Sequence, residues 1–167
     1  MKDNSGNPAA IPWFLTLSWW WFVVAAFIQS VLLSTFHKTT PAILNVGFLW
    51  SLVQAVWLLK VDRRSQALYW RVPVGLMDLL MMHVQILHRP LHIQIISALI
   101  ELSVVIAGNF VFRRDMLRYF NEVDETGLTL SPWMTVFFGT IYFQYHFNEI
   151  AEFKMQQSLK FSLSQSK

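Results

Sequence analysis

The chain has 167 residues, 54% of them hydrophobic and only 14% charged, with a net charge of +3. A soluble domain is nearer a quarter charged, so this much apolar surface calls for a solvent other than water. The absence of cysteine excludes disulfides, thiolate metal sites, thiol catalysis and iron–sulfur clusters, and the basic residues stand in short groups between apolar runs, as in membrane loops rather than a nucleic-acid surface.

A membrane-spanning helix needs about 20 mostly apolar residues, because each adds about 1.5 Å against a hydrocarbon core of about 30 Å. The first candidate, 13–36, opens on Pro12 and Trp13 and contains the run Trp19, Trp20, Trp21, with Gln29 and Ser30 deeper in. It is longer than a secretory h-region of about 7–15 residues and is expected to stay in the mature protein. The second, 41–59, carries Asn45, Ser51 and Gln54 and ends at the basic group Lys60, Arg63 and Arg64 with Asp62.

The third candidate, 68–87, is the most polar, with Arg71, Asp78, His83 and Gln85. His88, Arg89 and Pro90 follow as a turn, since proline lacks a donor and disfavours helix in the residue before it. The fourth, 91–112, contains Glu101 and Asn109 and is expected to end at Arg113, Arg114, Asp115 and Arg118. After the polar stretch 121–126 and Gly127 comes an aromatic segment, 130–150, interrupted by Gly139, Gln144, His146 and Asn148, and then a polar tail, 151–167.

Positive charge arbitrates the last segment. With a cytoplasmic amino terminus and four crossings, eleven of the 13 basic residues fall inside, leaving only Lys38 and Arg89 outside. A fifth crossing moves the tail lysines outside and makes the split eight to five. The positive-inside tendency therefore favours one all-α membrane domain over 1–167, a polytopic transmembrane helical bundle of four spans plus a C-terminal interfacial or re-entrant helix; five spans are the alternative.

Ionisable groups inside a membrane are costly and are candidates for function. If Arg89 and Pro90 form the tip of a hairpin, Asp78 falls opposite Glu101 and Gln85 opposite Gln94, with His83 nearby. Each helix then carries an acid and an amide seven residues apart on one face. Two carboxylates near mid-membrane cannot both stay ionised, so the pair is expected to share a proton and titrate as a unit, as a proton relay requires. The plainer reading is that these groups hold helices together, at about 0.6–2 kcal/mol per contact.

Other chemistry finds little support. Of His37, His83, His88, His92 and His146, only His88 and His92 have the His-x-x-x-His spacing, and Pro90 interrupts them, so no metal or cofactor is expected, although His83 and His146 are conceivable haem ligands. A calcium loop around Gly127 fails because Trp133 stands where a bidentate glutamate is needed. No phosphate loop or nucleophile motif is present. Tyr142, Gln144 and His146 are a candidate C-terminal pocket, set against a role for this aromatic helix as an interfacial anchor.

The run Tyr119-Phe120-Asn121, Leu128-Thr129-Leu130-Ser131, Met134-Thr135, Phe137-Phe138-Gly139 and Tyr142-Phe143-Gln144-Tyr145-His146-Phe147-Asn148 resembles a pattern in uncharacterised small multi-pass membrane proteins of bacteria. The resemblance covers the C-terminal third and implies a bacterial inner (cytoplasmic) membrane setting and no known activity. The expected function is a non-enzymatic subunit or scaffold in the lipid bilayer, packing against a membrane-protein partner or a second copy of itself. The alternative is an oligomeric proton or small-ion pathway using Asp78 and Glu101.

Overall fold

The structure, a computed structural model, describes residues 11–36, 46–86 and 90–165. These are helical: a 3-10 turn at Trp13–Thr16, α1 (Trp19–Phe36), α2 (Val46–Val61), α3 (Ala67–Ile86), α4 (Leu91–Arg118), a π-helical turn at Tyr119–Val123 and α5 (Pro132–Gln165). The elements follow the apolar segments, with three differences. The first segment breaks at Leu17, which is extended (φ −59°, ψ 135°). α4 continues beyond Phe112 to Arg118, so its terminal charges are helical residues. The tail is helical as far as Gln165.

Proline opens α4 and α5: Pro90 stands at the cap position of one and Pro132 is the first residue of the other, where a missing N–H costs nothing. Pro73 lies inside α3, where it removes one intrahelical bond. Two residues on, Gly75 admits the ring of Phe48, which would lie 2.7 Å from a Cβ at that position.

The packed core lies where the C-terminal halves of α2 and α4 meet the start of α3 and the middle of α5. Trp57 is at its centre, with its ring centroid 5.8 Å from Tyr119, 6.2 Å from Phe120 and 5.3 Å from Phe147. Edge-to-face and offset pairs of this kind suit the ring quadrupoles. Leu15, Leu58, Phe112, Met116 and Phe143 complete it, all fully buried.

The first half of α4 has no such cover. Its first buried residue is Gly108, and Leu91, Ile95, Ile96, Leu99 and Leu102 are each more than half exposed. Among the described residues, this helix with its π-helical extension, Leu91–Val123, is the one long and apolar enough to cross a membrane, and only 17% of its most apolar stretch is buried. The core helix of a water-soluble protein would be mostly covered. Trp20, Trp21 and Phe27 of α1 and Tyr69, Val72 and Leu76 of α3 are likewise exposed.

The C-terminal third folds back on α4. Arg113 donates through Nε and Nη2 to the carbonyl of Leu130 (3.0 and 2.6 Å), and Asn121 Nδ2 donates to the carbonyl of Leu128 (2.9 Å), so the chain after Thr126 runs back beside α4. It reverses at Gly139 (φ 42°, ψ −115°), opposite Asn109. From there α5 advances parallel to α4: Phe143 packs on Phe112 at 4.6 Å and Phe147 beside Phe120 at 6.2 Å. Lys154 Nζ then donates to Asp124 Oδ1 at 2.8 Å. Both ends of the excursion therefore lie at one end of α4.

Candidate functional site

Polar side chains concentrate in three clusters around this core. The first is centred on Asp115, which is fully buried. Its Oδ2 accepts from Ser65 Oγ (2.9 Å), Gln66 N (2.6 Å) and Ala67 N (3.1 Å), the free amides at the start of α3. A carboxylate there satisfies orphan donors and complements the helix dipole. Oδ1 accepts from Arg114 Nε and Nη2 (3.1 and 3.0 Å), while Arg118 holds Asp62 through two contacts of 3.0 and 2.6 Å. Asp62 of the α2–α3 turn and Arg114, Asp115 and Arg118 of α4 thus form one ion-paired cap on the bundle.

The second cluster joins the amino-terminal segment to α2 and α5 through Gln144, which is fully buried. Its Oε1 accepts from Trp50 Nε1 (2.8 Å) and Gln54 Nε2 (3.0 Å). Its Nε2 donates to the carbonyls of Leu15 (2.7 Å) and Leu17 (2.8 Å) and approaches Asn148 Oδ1 at 3.2 Å. The break at Leu17 follows from this: that carbonyl bonds to Gln144 and Asn148 instead of continuing a helix.

The third cluster lies at the foot of the α3–α4 hairpin. Arg71 is 3% exposed, and its Nη1 donates to Asn109 Oδ1 at 3.2 Å while the guanidinium lies 5.5 Å from the centre of the Phe112 ring. Its Nε and Nη2 have no hydrogen-bond partner among the described residues. The sequence placed Arg71 among the polar residues of the third apolar segment, and it is buried there because it enters α3 on the face that meets α4.

On α5, His146 Nδ1 lies 2.9 Å from Glu149 Oε2, and its ring packs edge-on to Tyr142 at 4.6 Å. Burial pushes the imidazole pKa down, against the opposing pull of Glu149. Both residues border a cavity of about 240 Å³ closed by Thr126–Thr129, Ile150 and Phe153.

Of the residues singled out from sequence, His146 borders this cavity, Gln144 is spent on its five polar contacts, and the Tyr142 hydroxyl accepts from Ser131 N at 2.7 Å. Gln94 and Glu101 stand on α4, partly buried, and Asp78, His83 and Gln85 on α3, where their side chains lie outside the described residues. His37 and the turn residues His88 and Arg89 also lie outside them. No group of three or more metal-ligating side chains occurs among the described residues.

Sequence reading missed Asp115 as a cap, Gln144 as a hub and Arg71 as a buried cation. Only Arg71 left a local signal, its seven-residue spacing from Asp78 and Gln85. Compared with family models, curated proteins and solved structures, the chain matches none.

Proposed function

We propose that the protein is a small multi-pass membrane protein acting as a non-enzymatic subunit or scaffold, in which α1 to α4 cross the bilayer and the segment 130–150 enters and leaves on one side. The observation that carries this reading is the uncovered apolar half of α4, together with the exposed aromatic and aliphatic residues on α1 and α3. Lipid or a membrane partner removes that surface from water at no cost in unpaired polar groups, since the backbone there is helical. The return of Lys154 to Asp124 supports four crossings over five, because it sets the tail on the side of Arg113–Arg118. With the amino terminus cytoplasmic, this is also the side that collects eleven of the 13 basic residues.

Photo-crosslinkers at Phe27, Ile96 and Leu99 in native membranes test the subunit reading. A discrete protein adduct of constant mass from at least one position is expected; lipid adducts alone from all three would remove the partner. Extraction of the folded chain into buffer without detergent would overturn the membrane assignment itself.

A second reading, a proton or small-ion pathway, is favoured by the hairpin register. Arg71 meets Asn109, and Trp70 and Val74 meet Gly108. Carried about two turns outward, the same register sets position 78 level with position 101. Proton flux in liposomes lost on replacing both acids by Asn and Gln is the expected result; unchanged flux would dispose of it.

A further inference from the structure

Arg71 is a buried cation with no described counter-ion. A guanidinium keeps its charge in any protein setting, and taking it out of water is costly unless an opposite charge compensates it. Asn109 offers one neutral oxygen at 3.2 Å and Phe112 a ring face. Neither carries a negative charge, and Nε and Nη2 have no partner among the described residues.

The missing charge is placed by helix periodicity. α3 is helical to Ile86 and α4 from Leu91, so the register seen at Arg71–Asn109 and at Trp70 and Val74 against Gly108 extends along the hairpin. Seven-residue steps keep positions on one face. On α3 they run from Arg71 to Asp78 to Gln85, and on α4 from Gly108 and Asn109 to Glu101 to Gln94. The hairpin thus carries a polar seam of three levels: a guanidinium with an amide, two carboxyls, and two amides.

We propose that Arg71 is the fixed counter-charge of the Asp78 and Glu101 pair, which holds one proton between its two carboxyls. One guanidinium, one carboxylate and one carboxylic acid sum to zero charge. Adding a proton leaves the seam positive and removing one leaves it negative, and both are disfavoured in a medium of low dielectric. The site therefore binds a single proton over a wide pH range. The acid level stands seven to eight residues from Arg71, about 11 Å along the helix axes. In a medium of low dielectric the attraction between unit charges persists over that distance, so the guanidinium favours the ionised form of a carboxyl there.

Other titratable groups are few. α1 carries no charged residue and α2 only Lys60, at the far end beside the Asp115 cap. α5 meets α4 at Asn109 through Gly139, and its titratable groups before Glu149 are Tyr142, Tyr145 and His146, the last beside the Phe120 end. His83 is off the seam face by its spacing, His92 is exposed, and His37, Lys38, His88 and Arg89 belong to the connections outside the described residues. The proposal rests on the hairpin's lying in the bilayer, and detergent-free solubility would remove that premise before the test below is reached.

Infrared spectroscopy of the protein in phosphatidylcholine vesicles, with exchange from H2O to D2O, reads the site directly. The wild type is expected to show one buried protonated-carboxyl band at neutral pH. D78N and E101Q should each abolish it, since the acid that remains is ionised opposite Arg71. Arg71→Met should about double it, and Arg71→Lys should leave it unchanged. The double variant R71M/D78N carries neither buried charge and should regain the single band from Glu101, so the inference stays testable even where R71M alone fails to fold. A band that survives both acid substitutions, or one that stays absent in the double variant, overturns it.

Discussion

Lys154 Nζ donates to Asp124 Oδ1 at 2.8 Å, and this contact closes a loop that leaves α4 after Arg118, turns at Gly139 and comes back. The turn lies opposite Asn109, nine residues inside the end of α4, or about 14 Å of helix. In the membrane setting proposed above, a segment that penetrates so far and returns has both ends on one side. The chain has no cysteine, so single cysteines report position without background. Glu122→Cys and Gln157→Cys are expected to react with an impermeant thiol reagent from the same side, and His92→Cys from the other. Labelling of position 157 together with position 92 would mean five crossings.

The helical segments were legible because runs of apolar residues bounded by charges and prolines are local signals. What joins the helices was not. Asp115 reads as one of several charges ending a helix, yet its partners Ser65, Gln66 and Ala67 lie 48 to 50 residues away. Gln144 reads as an interruption of an aromatic run, but four of its five partners are 90 to 129 residues distant. Local composition holds no record of which distant donor a buried amide will meet. Arg71 was legible as a polar member of the third apolar segment, but its partner Asn109 stands 38 residues further on, and nothing local marks that meeting.

Replacing Gln144 by leucine removes both halves of the hub. The Trp50 indole, the Gln54 amide and the Leu15 carbonyl would lose this contact inside the core, and the Leu17 carbonyl would keep only Asn148. Each buried polar group left unpaired costs about 1–3 kcal/mol, part of it recovered by relaxation. A loss of about 3 kcal/mol in thermal unfolding in detergent is expected, with new protease cleavage near Ser18 as the segment 11–17 comes free. Gln156→Leu, at an exposed position of the same helix, should change neither. A loss below about 1 kcal/mol for the buried substitution would show that the hub does not hold the amino-terminal segment.

Gly139 is required twice over. Its φ of 42° with ψ of −115° is a backbone region that side-chain-bearing residues avoid, and a Cβ would stand 2.7 Å from Asn109 Nδ2. Gly139→Ala is expected to destabilise the protein by about 2–4 kcal/mol, about 1–3 from backbone strain and the rest from displacing Asn109, the partner of Arg71. The double variant G139A/N109A removes the clash and leaves the strain, so it should be less stable than N109A alone by the strain component only. An alanine variant as stable as the wild type would mean that α5 runs straight through this point, and the reversal would be lost with it.

The acid side of the stability profile falls to His146. Burial sets its folded pKa below the ordinary 6.5, with Glu149 pulling the other way. Between those two values the unfolded chain binds more protons than the folded one, so stability rises with pH across the window. The contribution is complete above about 6.5 and is lost as the pH falls toward the folded value. Nε2 strengthens the expectation, because it is buried with no partner among the described residues to accept a proton there. The thermal midpoint in detergent should therefore hold steady above pH 6.5 and drop below it, and His146→Gln should flatten that drop. A midpoint that climbs on acidification through this window would show that the exposed Glu149 governs the imidazole instead, as an ion pair formed on protonation.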